Sequence, residues 1–350
     1  MYPFKNLVFE GGGVKGLAYV GVMEILEKKG ILQNIKRVAG TSAGAINATL
    51  FASGYTVEET RKEMLNLDFN DFSDSSWFPP NNLIRVFKEY GWNKGDFFKN
   101  WMGSLLKRKT GNSNITFELL QQYSNKSLYV LATNLSTRFS EIYSPEHTPN
   151  MPVVDAVRKS MSLPLFFRAV KNDHGDIFVD GGLLNNFPVK LFDREAYLDN
   201  KNLMRIPEYY EKENESVSEN QEDDSHVSLK NGRYIYNKET LSFRVDTKEK
   251  ISIFRDKKAP PHKKIDNFSD YITQLLKTLL SAQDNQHLNG DDWHRTIYVD
   301  SLDINTTDFD LQESQKKRLI ESGKKSAKTY FEWWSDLKTD IAKNHPEAPC

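Results

Sequence analysis

A chain of 350 residues carrying 47 Lys and Arg against 48 Asp and Glu has a net charge of −1, which suits one large α/β domain or two ordinary ones and supplies no basic field. No nucleic-acid motif is present, and the single cysteine, Cys350, excludes an internal disulfide and sits wrongly for a prenylation box. No apolar run approaches the about 18 residues of a membrane span, and the first strand leaves no room for a signal peptide; the expectation is a cytoplasmic protein, peripheral at membranes, with signal-free export as an effector left open.

The first predicted element is an apolar strand over residues 6–10. It is followed by "GGGVKG", residues 11–16, and by a helix over 15–29. Consecutive glycines carry a large entropic cost on folding, and two arrangements would offset it. One is a tight turn that lets the helix pack closely on the strand. The other is an anion site, in which the N–H groups of Gly11, Gly12 and Gly13 converge on a negative oxygen at a helix N-terminus. Gly11, Gly13 and Gly16 satisfy the spacing of a dinucleotide loop. The ribose-binding acid expected about twenty residues later is missing, because the second strand, 35–39, runs into Gly40. A transient oxyanion is the other candidate, and it requires a nucleophile.

"GTSAG", residues 40–44, stands between that second strand and a helix over 43–52. Gly-x-Ser-x-Gly between a strand and a helix is the nucleophile elbow. Gly40 and Gly44 permit the sharp turn and keep neighbouring side chains away from the Ser42 hydroxyl. The alternative is a serine that merely caps the helix. Residues 67–106 then form an aromatic-rich insertion containing Trp77, Phe78, Trp92, Phe97, Phe98 and Trp101. It reads as a helical cap with its own small core, or as a cap that also touches a membrane, since Trp and Phe with interspersed Lys favour the headgroup boundary.

Strands over 128–132 and 139–143 and a helix over 153–160 continue the alternation of an α/β protein. A serine nucleophile needs a base, yet none of the seven histidines has a convincing setting. His147, His174, His226 and His262 lie in polar loop sequence, His345 is near the end, and His287 and His294 flank "LNGDDW"; all read as solvated surface residues. A short strand over 177–179 instead delivers Asp180, followed by Gly181 and Gly182, so that a carboxylate projects at a strand end. The competing reading is an Asx-turn aspartate. Burial against Phe178 and Leu183 would raise its pKa and make it a stronger base.

"GGGVKG", "GTSAG" and "DGG", in that order, resemble the patatin-like phospholipases. "SLPLFFRAV", residues 162–170, is similar to the segment before the acid strand in that family, and "ETLSFRVD", residues 239–246, resembles a downstream strand. The resemblance implies a three-layer α/β/α fold with a mostly parallel central sheet and a helical cap insertion. It further implies a Ser42–Asp180 dyad without histidine, and hydrolysis of acyl esters of membrane glycerophospholipids. The glycine loop would then hold the oxyanion of an acyl-transfer step. The chemistry calls for no cofactor and no metal. The expected partner is a phospholipid membrane surface; nucleic acid is not expected, and an activating protein or ligand is left open. An acyltransferase or esterase acting on other lipids, or a noncatalytic lipid- or nucleotide-binding protein, would reuse the same loop.

The catalytic core is assigned to residues 1–200, including the cap at 67–106. Residues 208–226 are acidic and poor in aliphatic side chains, and read as a disordered insertion. Residues 227–350 complete the same domain, with a long helix over 267–287, a strand over 296–299 and a final helix over 312–337. Tyr330, Phe331, Trp333 and Trp334 on that last helix read as core.

Overall fold

The computed structural model describes residues 2–72, 88–219, 232–251 and 291–336, with scattered positions between 259 and 278. Its strands are β1 (Asn6–Phe9), β2 (Arg37–Thr41), β3 (Gly91–Asn93), β4 (Ser127–Asn134), β5 (Phe139–Tyr143), β6 (Leu165–Phe167), β7 (Val170–Lys171), β8 (Ile177–Asp180), β9 (Thr240–Asp246) and β10 (Thr296–Asp300). The α-helices are α1 (Ala18–Lys28), α2 (Ala43–Ala52), α3 (Val57–Asn66), α4 (Asp96–Thr110), α5 (Phe117–Ser124), α6 (Val153–Ser160), α7 (Gly182–Asn185), α8 (Glu208–Glu219) and α9 (Glu313–Ser335). The helix expected over 267–287 falls largely outside the described residues; Trp77, Phe78, His226, His287, His345 and Cys350 fall wholly outside them.

Eight strands form one sheet in the order β10-β9-β1-β2-β4-β8-β7, with β5 paired to β4 beside that path. The pairs from β10 through β4 are parallel, whereas β5, β8 and β7 add antiparallel pairs on the far side. This is the expected mostly parallel α/β sheet flanked by helices. Parallel strands covered on both faces read as unbroken apolar runs, and β1 is buried at every position. Alternation along the strands divides the core in two. Leu7, Phe9, Val38 and Val130 join the large helix-covered core, while Val8, Ala39 and Tyr129 meet Phe192 and Tyr197 from the chain that follows β8.

Helix α1 begins where the glycine loop ends, and α9 is clamped against it. Gly21 of α1 lies under the Ile320 carbonyl and Gly323 of α9 under the Ala18 carbonyl, so a methyl group at either position would collide with backbone. Two backbones this close cannot separate without opening the core that Tyr330 and Phe331 fill from the same helix. Gly323→Ala is therefore expected to destabilise the protein by about 2 kcal/mol or more, as overpacking does. A thermal melt indistinguishable from wild type would contradict the close crossing.

One expectation needs correction. The acidic run is helical from Glu208 to Glu219, not disordered, and residues 220–226 lie outside the described part. Tyr210 explains the order. Its ring is buried and stacks on Tyr234, and its hydroxyl donates to Asp193 Oδ2 at 2.7 Å. Asn214 adds a paired contact, donating to the Tyr234 carbonyl and accepting the Tyr234 N–H. Asp193 in turn takes both terminal nitrogens of the buried Arg295, which also binds Asp292, so the segment after β8 is bolted to the start of β10.

The described cap aromatics are divided between core and surface. Phe98 is fully buried, and Phe72 packs edge-on against both Phe98 and Trp101 at ring separations of 5.5 and 5.9 Å. These rings hold the cap to the core. Trp92 on β3 is exposed. That strand pairs in parallel with β6, which attaches the cap to the loop leading into β7 and β8.

Candidate active site

Strand β2 ends in Thr41 and helix α2 starts at Ala43, leaving Ser42 to make the whole turn. It does so at φ 53° and ψ −127°, a sparsely populated conformation for a residue with a side chain. Gly44 is required for it. A Cβ there would strike the carbonyl oxygens of Phe9 and Glu10, so α2 could not lie this close to β1. The Ser42 side chain makes no capping hydrogen bond to α2, which sets aside the helix-cap alternative. Its N–H donates to Ser160 Oγ at 2.9 Å, and its Oγ lies 3.7 Å from Met161 Sδ. Ser160 ends α6, so that helix steadies the elbow from across the site.

Strand β8 runs antiparallel to β4 with Asp180 opposite Ala132, one residue beyond the Leu131 that faces Thr41. This register brings Asp180 level with Ser42. The carboxylate is 2 % exposed. Burial raises its pKa to about 6, against the opposing pull of hydrogen bonds from the Ser42 hydroxyl and the Gly182 N–H. The Gly182 bond, 2.7 Å to Oδ1, is an Asx turn, so that reading and the contact with Ser42 hold together. Gly181 is packed on Leu131, and α7 begins at once; the Asn185 carbonyl accepts the Thr41 hydroxyl at 2.9 Å, tying the acid turn to the elbow.

The glycine loop comes beside Ser42 through Gly11, whose Cβ position would sit 3.1 Å from the Ser42 Cβ. Its three N–H groups are not equivalent. The Gly11 N–H donates to the Asn186 carbonyl at 3.0 Å, so Gly11 is corrected from a donor to a spacer. Asn186 is 175 residues away in sequence, which puts this pairing beyond local reading. Gly12 and Gly13 have no acceptor for their N–H groups among the described residues. Gly13 has φ +55° and lies against the Thr306 backbone, so both its conformation and its surroundings favour glycine. The dinucleotide-type spacing thus coincides with a loop whose first glycine lies against Ser42.

Histidines stand elsewhere. His147 is half-buried with Nδ1 2.7 Å from Ser144 Oγ, and burial lowers its pKa. His294 is half-buried too, its ring 5.7 Å from that of Trp333. Neither is the solvated residue that its polar sequence context suggested, because short turns fold both back onto the body. His174 and His262 are exposed.

With this geometry in view, residues 7–193 match the family model described as patatin-like phospholipase. The chain belongs to that family. The protein YqhO of Bacillus subtilis is 30% identical over 342 residues, covering 94% of this chain and 98% of its own. A probable lipid hydrolase, 463L, of Invertebrate iridescent virus 6 is 27% identical over 193 residues, 54% of this chain and 63% of that one. Among solved structures, VipD from Legionella pneumophila shares the fold at a TM-score of 0.53 and 18% identity, over 94% of this chain and 67% of its own. No helix among the described residues is long and apolar enough to cross a membrane.

In this patatin-like chain a buried ionic group behind the glycine loop escaped the sequence reading. Glu10, immediately before Gly11, accepts the Val245 N–H through Oε2 at 2.9 Å and pairs with Arg244, whose other end reaches Asp246. Lys15 donates to the Val245 carbonyl at 3.3 Å. Burial alone would raise the Asp246 pKa; Lys250, Arg244 and Lys15 together hold it below the usual value. These contacts stitch the glycine loop to β9. The available signal was Arg244 and Asp246 alternating with Phe243 and Val245 in a predicted strand, where an unpaired charge would be costly.

Proposed function

We propose that the protein is a serine acyl hydrolase of membrane glycerophospholipids, with phospholipase A or lysophospholipase activity, acting through Ser42 and Asp180. The observation that carries the reading is the contact between a serine in a strained elbow and a buried carboxylate whose pKa of about 6 matches that of a general base near neutral pH. Asp180 takes the Ser42 proton as Oγ forms a bond to the ester carbonyl carbon. The resulting oxyanion lies at the N-terminus of α2, where the Gly12 and Gly13 N–H groups are the donors available to it. Collapse of this intermediate breaks the ester C–O bond, and protonated Asp180 hands its proton to the departing alcohol. Water then attacks the acyl-enzyme with Asp180 as base and releases the fatty acid. Membership of a lipid-hydrolase family supports the substrate class.

A fluorophosphonate probe tests the reading directly. Wild-type protein is expected to gain one covalent adduct, located at Ser42 by peptide mass spectrometry, and to release free fatty acid from phospholipid vesicles. Folded protein that takes no label and releases no fatty acid would overturn it.

A further inference from the structure

Among the described aromatics of the cap, Phe98 and Trp101 are spent on the core, while Tyr90 and Trp92 stay exposed. Further exposed apolar side chains gather beside Tyr90. Thr41, just before Ser42, faces Leu131, and Asp180 faces Ala132, but β4 and the chain after it run on to Leu135, three residues further. At about 3.3 Å per residue, Leu135 stands about 10 Å beyond the level of Ser42, on the carboxyl side of the sheet. Leu135 is 44% exposed, and Phe139, at the other foot of the same hairpin, is 72% exposed. Tyr90, at 53%, and Leu165, at 36%, close the far side of an apolar groove of about 340 Å³ whose floor includes Ile177 and Val179. Leu165 has φ 66°, a costly backbone state for a side chain that gains little burial. Four large apolar groups held out at one rim form a patch of the kind that marks an interaction site.

Charge indicates the occupant. Of the acids near the patch, Glu89 and Asp96 both pair with Arg168, at 3.7 and 3.5 Å, and Glu141 and Asp176 accept from the Asn134 amide. Lys88, Lys94, Arg138 and Lys171 are exposed and have no acidic partner among the described residues; of the two acids in the β7–β8 turn, Asp173 is exposed and Asp176 accepts hydrogen bonds from the Asn134 and Asn172 amides. A chain of net charge −1 therefore keeps four exposed cations without acidic partners among the described residues beside its exposed apolar rim. Apolar side chains flanked by Lys and Arg suit an anionic bilayer, entering the acyl boundary while the cations meet phosphate.

We infer that this rim, Tyr90, Leu135, Phe139 and Leu165 with Arg138 and Lys171, docks the protein on an anionic phospholipid surface beside the mouth of the site. The inference rests on the lipid-hydrolase reading, but its test does not use catalysis. Full-length Ser42→Ala protein should co-sediment with vesicles of equal phosphatidylglycerol and phosphatidylcholine and much less with phosphatidylcholine alone. Leu135→Ser with Phe139→Ser should weaken the apparent affinity about tenfold or more, and Arg138→Glu with Lys171→Glu should remove the preference for the anionic vesicles. A folded apolar double variant that binds like its parent would overturn the inference. So would failure of the parent to bind, or a dimer in solution that shields these side chains. If the double variant loses its cooperative melt, Phe139→Cys in a Cys350→Ser background, carrying an environment-sensitive fluorophore, replaces it. Its emission should shift to the blue on anionic vesicles, and an unchanged spectrum would overturn the proposal. Fluorophosphonate labelling without vesicle binding would spare the catalytic reading and sink the docking surface alone.

Discussion

Ser42→Ala should abolish fluorophosphonate labelling and lower kcat/KM by at least about 10⁴-fold, because no other group can form the acyl-enzyme. Asp180→Asn should lose about a thousandfold or more. The shape survives, and the amide can still accept the Gly182 N–H, but it cannot remove the serine proton. If both residues act in one step, the double variant should be little worse than Ser42→Ala; independent contributions would instead multiply. Circular dichroism should show both single variants folded, since neither substitution alters Gly44, the Ser160 contact or the β4–β8 register. His147→Gln and His294→Gln serve as comparison variants, because their imidazoles contact Ser144 and Trp333. A loss in either as large as that of Ser42→Ala, in folded protein, would replace the dyad with a mechanism that uses histidine.

The parts of the site that could be read in sequence are those for which the constraint is local. A turn through one residue between strand and helix requires small neighbours, so Gly40, Ser42 and Gly44 advertise the elbow in five letters. The close loop around Gly11, Gly12 and Gly13 and the turn after Asp180 are legible for the same reason. What was not legible depends on residues far apart in the chain. Which glycine N–H stays open is decided by the Asn186 carbonyl, and the elbow is steadied by Ser160, 118 residues beyond Ser42. The acidic run 208–226 misled because composition averages over its members. One tyrosine and one asparagine, Tyr210 and Asn214, dock its first two turns, while the charged residues around them carry the compositional signal. The cap was legible only in part. Apolar content shows that Phe98, Trp101 and Trp92 share a segment, but only the paths of α4 and β3 decide which of them face inward.

Asp180→Asn should also stabilise the protein at neutral pH, and the gain should vanish in acid. The folded-state pKa of Asp180 is about 6, raised by burial from the ordinary 3.8. A carboxyl raised in the folded state favours folding in its neutral form. That contribution is fully present below about 3.8 and is lost as pH rises through about 6. At pH 7 the ionised carboxylate therefore costs the fold about 3 kcal/mol, taking about 1.4 kcal/mol per unit of pKa difference. Asparagine keeps the shape and never ionises, so denaturant melts at pH 7 should place the variant above wild type by up to that amount, with the curves meeting near pH 4. The same titration should appear in catalysis. Wild-type kcat/KM on a soluble ester should fall on the acid side with an apparent pKa near 6, as the base becomes protonated, while the residual rate of Asp180→Asn should lack that limb. An acid limb unchanged in the variant would show that another group titrates. Equal stability of the two proteins across the range would show that the Asp180 carboxylate is better solvated than its burial implies. The two readouts oppose each other by design: the charge that makes Asp180 a competent base at neutral pH is the charge its surroundings disfavour, and the site holds it there because the β4–β8 register and the Gly182 N–H leave it no other place.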